Sequence, residues 1–136
     1  MEIREPVWRE REAPRALSEG ERQLAETLAA ATREDDLVAQ VRQAHVAADC
    51  GCGCSSVRLA GDGPAVGPDV VRRLSSNDRD DYVCVSAGVA GGADGEPASV
   101  TLHVVGGLVH ELELFAGEGV PMAPPAVDRL RHITVS

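Results

Sequence analysis

Asp49-Cys50-Gly51-Cys52-Gly53-Cys54-Ser55-Ser56-Val57-Arg58-Leu59 divides the chain. Upstream of it the sequence reads as helix or charged tail; downstream it reads as strand and turn. The stretch is therefore an α-to-β junction, and the order of elements on its two sides makes the fold class α+β. It also holds three of the four cysteines within five residues, the densest set of ligand atoms in the chain.

The spacing of these thiols bears on what they can do. In a strand, residues two apart point to one face and stand roughly 6.6 Å apart, so three thiols would form a row. Gly51 and Gly53 permit positive φ, which lets the segment coil and gather the sulfurs. Zinc ribbons use longer spacers between paired cysteines, and thiol oxidoreductases use Cys-x-x-Cys, so Cys-x-Cys-x-Cys matches neither pattern. Two readings stand side by side. In one, Cys50, Cys52 and Cys54 form a thiolate metal or redox site, with zinc the candidate ion and no other cofactor implied. In the other they are small side chains packed into a crowded strand, because free cysteine packs as a small hydrophobe.

Working upstream, Ser18-Glu19-Gly20-Glu21 has the form of a capping box. Leu24, Ala25, Leu28 and Ala31 follow at helical spacing and predict a helix over 19–31. Thr32-Arg33-Glu34-Asp35 looks like a second start, with acidic residues suited to the helix dipole. Leu37, Val38, Val41, Ala44 and His45 then extend a second helix to about 45. Residues 1–16 are dense in Arg and Glu and carry Pro6 and Pro14, which predicts a flexible charged tail in front of a single domain at 17–136. Trp8 in that tail either anchors a partner or docks on its own domain.

Downstream, strands are expected at 54–60, 82–90, 98–105 and 108–115. The sum is two N-terminal helices packed on a four-stranded antiparallel meander sheet. A single turn is expected at 69–74, a turn at 91–97, and a last short strand at 133–135 after a proline-rich coil. Gly106-Gly107 fits a two-residue hairpin with positive φ at both positions. An unbroken ladder from that turn would set Leu102 opposite Glu111 and Val100 opposite Glu113, with carboxylates on the apolar face. One extra residue at His110–Glu111 repairs the register, so a β-bulge is expected there. It would gather His103, His110 and Glu111 at one kinked surface position, suited to a weak metal or anion site. On a solvated face the same bulge merely corrects register.

Composition removes several function classes. A net charge of −9 and only three aromatic residues, Trp8, Tyr82 and Phe115, argue against nucleic acid. All thirteen basic residues are Arg. No apolar run is long enough for a membrane span, and the charged N-terminus lacks a signal-peptide core. The expected setting is cytoplasmic, with reduced thiols. Gly-x-Ser-x-Gly, His-Glu-x-x-His and phosphate-loop patterns are absent from the sequence. Asn77-Asp78-Arg79-Asp80-Asp81 lacks the glycine and the bidentate glutamate of a calcium loop.

Cys50 to Val57 and Leu59, with Leu102-His103-Val104 and Glu111-Leu112-Glu113-Leu114-Phe115 downstream, resembles a group of small actinobacterial proteins. The resemblance spans about 34–115 and implies no particular activity. Three functions follow as expectations. The first is a non-enzymatic binding or interaction module, acting as a homodimer or with a protein partner. The second is a zinc or thiol-redox protein using the cysteine cluster. The third is a small-ligand enzyme with a pocket between helices and sheet.

Overall fold

The computed structural model describes residues 7–76, 79–90 and 97–136. Seven strands, β1 (Trp8–Ala16), β2 (His45–Cys50), β3 (Val57–Ala60), β4 (Tyr82–Val89), β5 (Ser99–Val105), β6 (Leu108–Phe115) and β7 (Leu130–Val135), form one sheet. Its order is β1-β2-β3-β6-β5-β4-β7, and every pairing is antiparallel. The helices are α1 (Glu19–Ala31), α2 (Asp35–Gln43) and α3 (Pro68–Leu74). The fold is α+β, but the sheet is larger than a four-stranded meander. Only β4, β5 and β6 meander; β3 pairs with β6 instead of β4.

Two strands stand where the sequence suggests tail and helix. The charged segment at 8–16 forms edge strand β1 against β2. It has no apolar alternation because it buries little. Its ladder is supplemented by the pairs Arg11–Asp49, Glu10–Arg58 and Arg15–Glu21. The second difference is His45, which opens β2 instead of closing a helix. Alanines at 44, 47 and 48 are good helix formers and obscure the strand's alternation. The third helix is fuller than the single turn expected, with Pro68 in its first turn, where no N–H is needed. The expected turn at 91–97 falls mostly outside the described residues.

The capping box at the start of α1 forms as its sequence dictates. Glu21 N donates to Ser18 Oγ at 3.1 Å and Ser18 N donates to Glu21 Oε1 at 2.8 Å. The helix then lays Leu24, Ala25, Leu28 and Ala29, all fully buried, on the inner face of the sheet. Leu37 and Val41 of α2 extend that layer over Leu102, Leu112, Leu114 and the strand valines. Each leucine or valine in it contributes about 1.5–3 kcal/mol on burial, so this layer carries the fold. Among the described residues no helix is long and apolar enough to cross a membrane.

The last hairpin has the expected turn and the expected bulge. Gly106 and Gly107 have φ of 61° and 81°. Val104 pairs with Val109, His103 with Glu111, Leu102 with Leu112 and Val100 with Leu114, so His110 is the extra residue. The turn is pinned from the side. Gln40, 3% exposed, donates to Pro64 O at 2.9 Å and Gly107 O at 3.0 Å, and accepts from Val109 N at 2.8 Å.

A second irregularity matters more for function. Val46 pairs with Leu59, but Ala48 pairs with Arg58, so the β2 register slips between them. Leu59 and Arg58 point to opposite faces, and the slip therefore turns the end of β2 over. Cys50 comes to share the face of Arg58 and Glu111, away from the helix-covered core. Both sheet edges are also interrupted, β1 between Glu10 and Arg15 and β7 opposite Ser86–Gly88. Breaks of this kind shorten the unpaired runs that another strand can join.

Candidate functional site

Beyond Cys50 the chain turns back sharply toward β3. Cys50 N donates to Ser56 O at 3.2 Å and Gly53 N to Cys50 O at 3.5 Å, closing a small loop. Two neighbouring segments clamp it. Gly51 N donates to Val7 O at 2.7 Å, and a Cβ at Gly51 would stand 2.6 Å from that oxygen. Gly53 has φ of 98°, so both glycines meet requirements that a side chain would violate. On the far side, Ser55 Oγ accepts from Met122 N at 2.8 Å and Ser56 Oγ from Leu114 N at 3.0 Å.

The loop folds the three thiols into a cluster instead of a row. One sulfur from each of Cys50, Cys52 and Cys54 lies within 4.8 Å of the other two. The Cys50 and Cys52 sulfurs are 3.0 Å apart, and Cys54 N points at Cys52 Sγ at 3.4 Å. A tetrahedral zinc site with Zn–S of about 2.3 Å has S···S edges of about 3.8 Å. The Cys50–Cys52 separation is shorter than that edge and the other two lie within 4.8 Å, so small movements would seat a thiophilic ion. Burial pushes the Cys50 thiol up to about 12, reinforced by its contact with Cys52. The hydrogen bond from the Cys50 thiol, with help from the Cys54 backbone N–H, brings Cys52 down to about 7. Cys50 is buried, Cys54 half-buried and Cys52 exposed, so the cluster faces outward through Cys52.

A cleft of about 400 Å³ opens beside the loop, lined by all three cysteines and by Glu111, Glu113 and Gly119 among others. Glu111 and Glu113 sit two residues apart on β6, on one face, and His103 joins them from β5. One ligand atom from each of the three lies within 4.8 Å of the others. His103 Nε2 meets Glu113 Oε1 at 2.8 Å and its Nδ1 meets Tyr82 Oη at 2.5 Å. Glu111 is 9% exposed, and burial raises its carboxyl, with repulsion from Glu113 adding to the rise and His103 opposing it.

Of the residues singled out from sequence, Cys50, Cys52 and Cys54 converge, and so do His103 and Glu111. His110 does not join them; it lines a separate cavity of about 210 Å³ with Gln40, Gly61 and Leu108. Cys84 stands apart on β4 beside Ser136. No protein-family model, curated relative or solved structure matches the chain. Glu113 and Tyr82 were not among the candidate site residues. Their signals were the β5–β6 register for Glu113 and the β4–β5 pairing that sets Tyr82 near His103.

Proposed function

We propose that this chain is a small metal-binding protein that holds a thiophilic ion of the zinc class on Cys50, Cys52 and Cys54. The observation that carries this is the convergence of the three sulfurs on one side of a structured loop. The β2 register slip supports it. Cysteines retained for packing belong among the apolar side chains, whereas Cys50 is turned away from that core toward the cleft. Three thiolates leave a tetrahedral ion one position for water or a ligand, as in zinc sites with an open coordination position. The cleft is where such a group would enter. The reading gives the expected binding module a ligand and needs no catalytic step.

Metal content of the full chain, purified without chelator, tests it. The expected result is one equivalent of zinc per chain, with three of the four thiols protected from a thiol reagent until the protein unfolds. No stoichiometric metal after zinc incubation, with all four thiols equally reactive, removes the reading. The contact between Cys50 and Cys52 favours a second use, reversible closure to a disulfide. Two thiols then lose two electrons to a disulfide oxidant and release two protons. Mass analysis distinguishes the two, because oxidised chains are lighter by two hydrogens and have lost two of the three zinc ligands.

A further inference from the structure

Two carboxylates, Glu111 and Glu113, line the cleft beside the thiols, and His103 stands next to them. Glu111 is nine-tenths buried and lines the cleft. Its cross-strand neighbour on β3 is Arg58, the obvious partner. Arg58 is instead turned to β1, where its two guanidinium nitrogens meet the two carboxylate oxygens of Glu10 at 2.5 and 2.6 Å. Among the described residues no side chain donates a hydrogen bond to Glu111. Most of the residue is buried, yet its carboxylate oxygens are not sealed from solvent, so they face the cleft without such a donor.

We infer that His103, Glu111 and Glu113 form a second cation site, with nitrogen and oxygen donors, for a divalent ion of the manganese or iron(II) class. Two carboxylates balance the charge of a divalent ion, and imidazole with carboxylate suits harder ions than thiolates do. The bulge at His110 sets Glu111 directly across from His103, and Glu113 follows two residues later on the same face. Tyr82 Oη sits on the remaining ring nitrogen. A metal-bound imidazole donates its other N–H to such a neighbour, which fixes the ring. Binding through Nε2 places the ring proton on Nδ1, and Tyr82 Oη becomes its acceptor. The protein would then have two chemically distinct metal positions, one at the thiols and one at the His103 group. This inference does not rest on the thiolate reading.

The test uses the full chain and Mn2+ alone, followed by loss of the free-ion paramagnetic resonance signal. It is run on the unmodified chain and on the C50S/C52S/C54S variant. One ion per chain is expected in both, with the same affinity. Glu111→Gln and His103→Gln should each weaken binding at least about tenfold, and Tyr82→Phe about tenfold, the range of orienting partners. Thermal melts establish that the variants are folded, and the two ligand variants serve as checks on each other. The inference is overturned by absence of Mn2+ binding to the unmodified chain at millimolar ion. Binding that both folded ligand variants leave unchanged overturns it as well, since that is what a diffuse acidic surface gives. Loss of binding only in the cysteine variant assigns the ion to the thiols and overturns this inference while leaving the thiolate reading in place.

Discussion

Metal binding at the cysteines should carry a pH signature to which Cys50 and Cys52 contribute differently. A metal takes the thiolate, so each thiol still protonated must release its proton on binding. Cys50, held up to about 12, releases one at every working pH. Cys52, brought down to about 7, releases one below that pH and none above it. A plot of log apparent zinc affinity against pH should therefore lose one unit of slope across neutrality. Between about pH 6 and about pH 5 these two thiols together cost about a hundredfold, or about 2.7 kcal/mol. Between about pH 9 and about pH 8 only Cys50 of these two still contributes, about tenfold, or about 1.4 kcal/mol. Competition with a chromophoric zinc indicator gives the affinities. Calorimetry in buffers of different ionisation heat counts the protons directly. Cys52→Ser should remove the break near neutrality. A slope that stays constant through neutrality in the unmodified chain, or a break that survives Cys52→Ser, would refute the assignment of Cys52 as the more acidic ligand.

Three further outcomes follow from the fold. Glu21→Gln should cost about 1 kcal/mol at neutral pH by chemical denaturation, from loss of a charge-assisted cap. Although burial works against it, Arg15 and Ser18 hold the Glu21 carboxyl below the ordinary value. The charge therefore stabilises above the unfolded carboxyl pKa of about 4.3, and the difference between variants should vanish as pH falls through the lowered folded value. Gly106→Ala meets open space and should cost about 1–2 kcal/mol for its left-handed backbone alone. Gly107→Ala sets a Cβ 2.2 Å from Val66 O and should cost clearly more, about 3 kcal/mol, because it also disturbs the Gln40 hydrogen bonds; equal melting shifts for the two would contradict the pinned turn. Deleting residues 1–16 removes β1 and the Val7 oxygen that Gly51 N donates to. It should lower the melting temperature and weaken zinc binding by about tenfold, the worth of one hydrogen bond at the loop; an unchanged affinity would show that the loop holds itself.

Where strong local signals agreed, sequence and structure coincide. The Ser18–Glu21 box and the Leu24–Leu28 spacing set α1. The Gly106-Gly107 pair and the conflict between Glu111 and the apolar face of Leu102 set the hairpin and its bulge. These features are short-range, or fixed by a turn two residues long. The strand at 8–16 was not legible because an edge strand needs backbone partners, not apolar alternation. The strand at 45–50 was hidden by alanines, and the partner of β3 was a matter of long-range topology. The candidate metal group illustrates the same division. Cys-x-Cys-x-Cys is visible as a cluster, but the loop that gathers it is held by Val7, Leu114 and Met122, remote in sequence. His110 looked like a ligand because it stands beside the bulge. A bulge residue, however, is the one whose direction alternation does not fix, and Glu113 took the position instead.

The claim that Cys50, Cys52 and Cys54 act together as ligands is tested most directly by titrating the metal-free chain with Co2+ and recording its absorption spectrum. Joint ligation should give an intense thiolate-to-cobalt charge-transfer band that saturates at one equivalent, disappears on adding zinc, and weakens when any one of the three is changed to serine. Saturation without that band, or a band undiminished by loss of Cys50, Cys52 or Cys54, would contradict joint ligation by the three thiols.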